Sequence, residues 1–162
     1  MRSAGSRLEP KGDDVVDASD SILIERPVEE VFAYVTDVTN DPAWHTDVLD
    51  ARKMTEGPPG VGTVWHAKFK PSMGISEGDM EVVTFEPNRK QVMRGDVGPM
   101  HPTLTYLLEP ADGGTKFTRH VQIAVSGWMK IMAPMMGFML PKQNKGFLTN
   151  LKRVLEERPT RA

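Results

Sequence analysis

Residues 22–32 read ILIERPVEEVF and join a short apolar strand to a helix. Ser19 to Ile24 first alternates and then becomes apolar, which is typical of a strand. Pro27 suits the first position of a helix. Four apolar residues then follow at helical spacing: Val28, Val31, Phe32 and Val35. The stretch therefore predicts a strand and a helix that ends near Asp37 to Asn40.

Beyond this helix, Asp41-Pro42-Ala43-Trp44 favours a second short helix, because Asp before Pro often opens one. From Val48 onward the pattern has period two, with separators rich in Pro and Gly. Six strands are predicted there: Leu49–Thr55, Thr63–Lys70, Glu77–Phe85, Lys90–Val97, Thr103–Glu109 and Thr115–Val125. After Ser126 the helical period returns and runs to about Glu157, and we expect Pro134 and Pro141 to kink or break that helix.

The order of these elements predicts an α+β fold with one antiparallel sheet and helices packed on one face. Short connections favour hairpins over crossovers. A length of 162 residues fits one domain. We expect that domain at residues 19–157, after a disordered leader at residues 1–18 and before a C-terminal tail at residues 158–162.

The composition excludes several classes of protein. Hydrophobic residues make up 39% and charged residues 26%, as in ordinary soluble domains. The chain has no cysteine, which excludes a disulfide scaffold, a Cys-ligated metal site and thiol chemistry. A net charge of −2 lacks the basic excess of a nucleic-acid binder. Residues 1–17 lack the apolar run of a secretory signal, and Gly127 to Leu140 is too short to span a membrane, so we expect a cytoplasmic protein without a transmembrane segment.

Several short stretches spread over Ser19 to Glu157 carry a family pattern. They are Ile22 to Phe32, Val35-Thr36-Asp37, Trp44, Phe85-Glu86-Pro87, Gly113-Gly114-Thr115 and Leu151 to Glu156. Together they resemble the START-like superfamily, also called the helix-grip or SRPBCC group, and more narrowly its polyketide cyclase/dehydrase branch.

The resemblance implies a helix-grip fold: a curved seven-stranded antiparallel sheet wrapped around a long C-terminal helix, with two short helices after the first strand. It also implies a deep apolar cavity between sheet and helix. Members of the superfamily bind lipids, sterols, polyketides or plant hormones, and some cyclise or dehydrate polyketides. No cofactor comes with the family.

Methionines on the predicted C-terminal helix are candidate cavity residues. Met129, Met132, Met136 and Met139 follow at spacings of 3, 4 and 3, on one helical face. Methionine lines adaptable apolar surfaces, but the same pattern also suits an ordinary core, and both interpretations stay open. With the sheet faces read by parity, the expected ligand-binding residues are Trp65, Phe69, Met80, Tyr106, Phe117, Arg119, Trp128, Met132, Met136 and Met139.

Arg119 shares a predicted strand face with Phe117 and Val121. A cation that points into an apolar cavity is costly unless it is paired. Glu81 is a candidate partner on a neighbouring strand. Alternatively, Arg119 lies near a rim and reaches water along its apolar stem, which is the interpretation that we favour.

The four histidines are scattered, at His45, His66, His101 and His120. None forms the i, i+4 helical pair of a zinc site, so we predict no metal. His66 and His120 fall on the predicted outer face of their strands, whereas His45 and His101 are candidates for a cavity mouth. The chain has no G-x-S-x-G motif. The remaining catalytic candidates are Tyr106, Arg119 and His101, which could move protons.

Three functions remain open. The first is non-enzymatic binding or transport of a hydrophobic small molecule or lipid. The second is a polyketide aromatase/cyclase or dehydratase that acts in the same cavity. The third is a membrane-surface or partner-binding module that uses Gly127 to Leu140 in weak surface contacts. We favour the first, because no catalytic group stands out.

Overall fold

The computed structural model of the chain describes residues 15–72 and 74–159. Seven strands form one sheet in the order β1-β7-β6-β5-β4-β3-β2. They are β1 (Val15–Ile24), β2 (Val48–Lys53), β3 (Val64–Ser72), β4 (Ile75–Glu86), β5 (Lys90–Asp96), β6 (Met100–Ala111) and β7 (Gly114–Val125). All neighbouring strands are antiparallel.

Two short helices, α1 (Val28–Thr36) and α2 (Asp41–Trp44), separate β1 from β2. One long helix, α3 (Ala133–Glu157), is the last element of the described residues and packs on the sheet. Glu29 and Glu30 lie in the first turn of α1, where the helix dipole favours them. This arrangement confirms the predicted α+β helix-grip fold.

The first strand begins four residues earlier than predicted, at Val15 rather than Ser19. Val16 pairs with Ile123 and Ala18 pairs with Val121 on β7, and both side chains are buried. Residues 15–18 therefore belong to the sheet and not to the expected leader, because β7 offers them apolar partners that a local reading of the sequence does not show. The rest of that leader lies outside the described residues.

The C-terminal helix also differs from the prediction. Gly127–Met132 forms a 3-10 helix, and α3 begins only at Ala133. Pro134 lies in the first turn of α3, where a missing N–H costs nothing, and the helix continues through Pro141. Pro134 thus marks the start of α3, and Pro141 does not break it, because the residues after it are held by packing on the sheet. Within residues 15–72 and 74–159, no helix is long and apolar enough to cross a bilayer.

The space between the sheet and α3 is filled at one end. Trp44, Tyr106 and Phe117 are buried there, and the Tyr106 and Phe117 ring centroids lie 5.3 Å apart. The C-terminal half of α3 adds four buried side chains to this core: Phe147, Leu148, Leu151 and Leu155. All buried residues of α3 lie at or after Asn144, so the N-terminal half of the helix does not seal against the sheet.

Candidate functional site

A cavity of about 590 Å³ lies between the N-terminal half of α3 and the sheet. Seven methionines line it: Met80, Met93 and Met100 from the sheet side, and Met132, Met135, Met136 and Met139 from the helical side. Their side chains are unbranched and polarizable, so this wall can adapt to ligands of different shape. The volume falls within the roughly 300–1,000 Å³ that is typical of small-molecule pockets.

Most of the predicted ligand-binding residues come together at this cavity. Seven line it, namely Trp65, Phe69, Met80, Arg119, Met132, Met136 and Met139. Tyr106 and Phe117 instead lie in the filled core. Trp128 is 52% exposed, because the 3-10 helix that holds it does not continue the period of α3. The role of the seven lining residues in binding stays a prediction.

Arg119 lies where the cavity meets the core, and only 3% of its surface is exposed. Its Nη1 donates to Asn144 Oδ1 at 2.6 Å, and Asn144 Nδ2 donates back to the Arg119 carbonyl at 3.1 Å. The Arg119 guanidinium also lies 6.0 Å from the Trp44 ring centroid and 5.5 Å from that of Phe147, within cation–π range. The expectation that Arg119 reaches water at a rim is wrong.

Glu81 is not the partner of Arg119. Met80 and Val82 are buried on the inner face of β4, so Glu81 between them points outward and is exposed. A bulge between Val82 and Thr84 shifts the strand parity at this point. Phe85, beyond the bulge, packs edge-on against Phe32. Strict alternation would place Glu81 on the same face as Phe85. The bulge lies between them, so Phe85 faces inward and Glu81 faces outward, and the predicted face of Glu81 is wrong.

Asp41 and His45, both from the segment around α2, line the cavity and interact electrostatically with Arg119. Burial raises the pKa of Asp41 to about 8, although the Arg119 charge opposes this shift. Burial lowers the pKa of His45 to about 3, and the Arg119 charge lowers it further. The His45 imidazole stacks on the Phe147 ring, with centroids 4.1 Å apart. At neutral pH Asp41 is therefore mostly protonated and His45 neutral, while Arg119 keeps its positive charge.

Behind these residues, Tyr106 is held as a neutral phenol. Burial raises its pKa, the Asp41 charge adds to the rise, and Arg119 opposes it. Tyr106 does not line the cavity, so it acts on the polar end only through Arg119 and Asp41.

Four buried polar atoms of cavity-lining residues find no hydrogen-bond partner in the described part of the chain. They are Asp41 Oδ1, His45 Nδ1, Trp65 Nε1 and Arg119 Nε. Buried polar groups in proteins are normally hydrogen-bonded, and leaving one unpaired costs about 1–3 kcal/mol. The set contains both hydrogen-bond donors and acceptors, so it can bind a ligand group that both accepts and donates hydrogen bonds.

Sequence reasoning missed two residues of this polar end. Asp41 is recognised only as the start of a helix, and Asn144 is not singled out at all. Asn144 carries a usable signal, because it interrupts the apolar stripe of α3 formed with Leu140, Phe147, Leu148 and Leu151. A lone amide in such a stripe indicates a buried polar contact.

The remaining histidines lie away from the cavity. His101 Nδ1 lies 2.7 Å from Asp96 Oδ1 beside a smaller surface pocket, so it is not at the cavity mouth. His66 and His120 contact Asp79 and Asp17 at 2.6 and 2.9 Å on the outer face, as their parity predicted. Among the three catalytic candidates, only Arg119 lines the cavity. Within the described ranges, no group of three or more His, Asp or Glu side chains is placed to hold a metal ion.

Solved structures with the same fold include aromatase/cyclases. The chain superposes on the Zhui aromatase/cyclase from Streptomyces sp. R1128 with a TM-score of 0.73 at 12% identity, covering 89% of this chain and 95% of that one. The match to the di-domain ARO/CYC BexL from the BE-7585A biosynthetic pathway has a TM-score of 0.73 at 15% identity. It covers 92% of this chain, which spans 52% of that protein, about half its length.

A third structure, the protein MLL2253 from Mesorhizobium loti, matches with a TM-score of 0.65 at 15% identity, covering 89% of this chain and 99% of that one. At these identities the likeness establishes the fold alone. No curated protein matches the sequence. The family described as "Polyketide cyclase / dehydrase and lipid transport" matches residues 15–156, nearly the whole chain. The chain therefore belongs to the polyketide cyclase / dehydrase and lipid transport family.

Proposed function

We propose that the protein binds a hydrophobic small molecule or lipid in this cavity, with the polar end of the ligand at Arg119. The observation that carries the proposal is the set of buried, unpartnered polar atoms at the core end of a mostly apolar cavity, whose other polar lining residues are Asp47, Lys70 and Gln143. An apolar ligand body would lie along the methionine wall, and a polar group would satisfy Arg119 Nε and Trp65 Nε1.

The charge balance of the polar end favours an acidic ligand group. Below about pH 8 the neighbouring Asp41 is mostly neutral, so it does not compensate the Arg119 cation. Asn144 gives the guanidinium a neutral acceptor only. A carboxylate or enolate would supply the missing negative charge and accept a charge-assisted hydrogen bond, which contributes about 1.5–3 kcal/mol.

Native mass spectrometry with organic extraction tests for a bound ligand, and palmitate supplies a defined probe. We expect the protein to bind palmitate more tightly than methyl palmitate, since only the acid pairs with Arg119. Arg119→Met should weaken palmitate binding by roughly 10- to 100-fold, the equivalent of the charge-assisted hydrogen bond, and leave the ester nearly unchanged.

Arg94→Met is the matched control for this measurement, because Arg94 is exposed on β5 and does not line the cavity. It should bind palmitate like the wild type. A clean apo mass together with no binding of acid or ester would remove the proposal. Equal palmitate binding by Arg119→Met and the wild type would remove the role of Arg119.

A second candidate function, cyclisation or dehydration of a polyketide in the same cavity, is favoured by one observation. Asp41 titrates near neutral pH beside a fixed cation. In its ionised form, which prevails above about pH 8, the Asp41 carboxylate could take a proton from a carbon next to a carbonyl while Arg119 stabilises the enolate oxygen. A turnover assay with a linear poly-β-ketone decides between binder and enzyme: product formed at the rate in buffer alone counts for the binder.

A further inference from the structure

Exposed apolar side chains concentrate on one segment of the molecule. Ten large hydrophobic residues are exposed in the described part of the chain, and five of them lie between residues 128 and 139. Ile131 and Phe138 are each 82% exposed. Contiguous apolar surface of this kind marks an interaction site rather than the scattered exposure of ordinary surfaces. We call residues 128–145 the docking segment.

The docking segment continues into a basic end on the same helix face. Along α3, Met135, Phe138, Lys142 and Lys145 follow at spacings of 3, 4 and 3 and are all exposed. Neither Lys142 nor Lys145 forms an ion pair with a described residue. Residues 113–155 contain no Asp or Glu at all. The segment therefore presents a mostly apolar tip, in which Lys130 is the one charged residue, followed by the exposed Lys142 and Lys145.

The spacing of the tip and the charges matches the depth of a membrane interface. Seven residues of α-helix separate Phe138 from Lys145, a rise of about 10 Å at about 1.5 Å per residue. If α3 points its N-terminal end at the bilayer, this rise spans the polar layer on each side of the bilayer core, which is about 5–8 Å thick. Phe138 can then lie at the acyl boundary while the lysines remain among the headgroups.

The cavity opens at the same segment. Met135 and Met139 line the cavity, yet each is close to half exposed. Ile131 and Phe138, each 82% exposed, lie within four residues of Met135 and Met139 along the chain. An apolar ligand can enter or leave through this opening without crossing water only if the surface in front of the opening is apolar as well.

We propose that the docking segment binds the surface of an anionic lipid bilayer, with the cavity mouth facing the membrane. A second copy of the chain fits less well, because residues 113–155 contain no acidic side chain that could pair with Lys142 or Lys145 of the other copy. Docking goes beyond the proposed ligand binding and does not require it. Only the transfer of a ligand between the bilayer and the cavity would require both membrane docking and ligand binding.

Cosedimentation of the full chain with vesicles tests the proposal. Vesicles of phosphatidylcholine with 30% phosphatidylserine should retain the protein, and pure phosphatidylcholine should retain much less. Tryptophan fluorescence gives an independent signal, since Trp44 and Trp65 are buried and Trp128 alone of the three is exposed. The emission of Trp128 should shift to the blue when the protein binds vesicles, and brominated acyl chains should quench it.

Two double variants separate the apolar and the charged contributions. Ile131→Ser with Phe138→Ser should weaken binding at least 10-fold on both vesicle types. Lys142→Gln with Lys145→Gln should weaken it roughly 25-fold on the anionic vesicles only, at about fivefold per lysine. The control is Leu49→Ser with Val61→Ser, which removes two exposed apolar side chains elsewhere and should bind like the wild type.

All replaced side chains are exposed, so thermal melting should show each variant folded. No retention on anionic vesicles, or equal retention of the Ile131/Phe138 variant, would overturn the proposal. A concentration-dependent dimer that this variant abolishes, without vesicle binding, would assign the face to a second copy. Arg119→Met should still bind vesicles although it loses affinity for palmitate. A failure of ligand binding is therefore distinguishable from a failure of docking.

Discussion

Asn144→Leu should lower the free energy of unfolding by about 2–4 kcal/mol, because it removes a hydrogen bond to a buried charged group, which is worth about 1.5–3 kcal/mol, and takes the side-chain donor away from the Arg119 carbonyl. The Arg119 guanidinium loses its 2.6 Å acceptor, and the Arg119 carbonyl loses its donor. Both residues are almost fully buried, so little water can replace the amide. Leucine has a similar volume, and lost packing therefore contributes little. Urea unfolding with an unchanged m-value measures the effect.

Asn150→Leu is the matched control on the same helix. Its Nδ2 donates one hydrogen bond to the Trp44 carbonyl at 3.2 Å in a half-buried position. Loss of such a neutral bond should cost only about 0.5–1.5 kcal/mol.

A double-mutant cycle shows whether the cost of Asn144→Leu comes from Arg119. When Arg119→Met is added, both polar side chains are gone, and most of the stability should return because no charge is left buried without an acceptor. Purely additive losses in the two single variants would contradict the coupling. In that case Asn144 would act through local packing of α3.

The fold could be predicted because its signals are local. ILIERPVEEVF contains a strand, a helix-starting proline and a helical apolar stripe within eleven residues. The hairpin separators rich in Pro and Gly then place the remaining strands in order. These patterns depend on neighbours in the chain, and the order of the strands follows from the short connections between them, whereas the bulge between Val82 and Thr84 was not predicted. The start of β1 at Val15 is the exception, since its signal lies on β7.

The candidate site was only partly predictable, because its polar end comes from three distant elements. Asp41 belongs to α2, Arg119 to β7 and Asn144 to α3, and only the folded chain brings them together. The apolar wall of the cavity was easier to predict, since Met132, Met136 and Met139 follow a helical spacing. Trp128 was wrongly predicted to line the cavity, because the chain around it forms a 3-10 helix, which does not continue the helical spacing of α3.

The free energy of unfolding should fall by about 1.3 kcal/mol as the pH rises from 6.5 to 8. The pKa of Asp41 is raised from 3.8 in an exposed chain to about 8 in the folded protein. Below pH 8 the folded protein keeps most of a proton that the unfolded chain has lost, so Asp41 lowers the stability by up to about 1.36 kcal/mol per pH unit, and by less as the pH approaches 8. His45 has the opposite effect, because its pKa is lowered from 6.5 to about 3. Its contribution is complete above pH 6.5 and is lost as the pH falls.

Between about pH 4 and 6.5 the two slopes cancel, so stability should be level there and decline only above 6.5. Urea unfolding at pH 5, 6.5 and 8 measures this profile, and Asp41→Asn should flatten its upper part. His45→Phe should extend the decline down to about pH 4, since it removes the opposing slope. A wild type without a decline above pH 6.5, or a decline that survives Asp41→Asn, would contradict the buried ionisation. The same titration bears on binding: above pH 8 the Asp41 carboxylate compensates Arg119, so an acidic ligand loses its advantage over a neutral one.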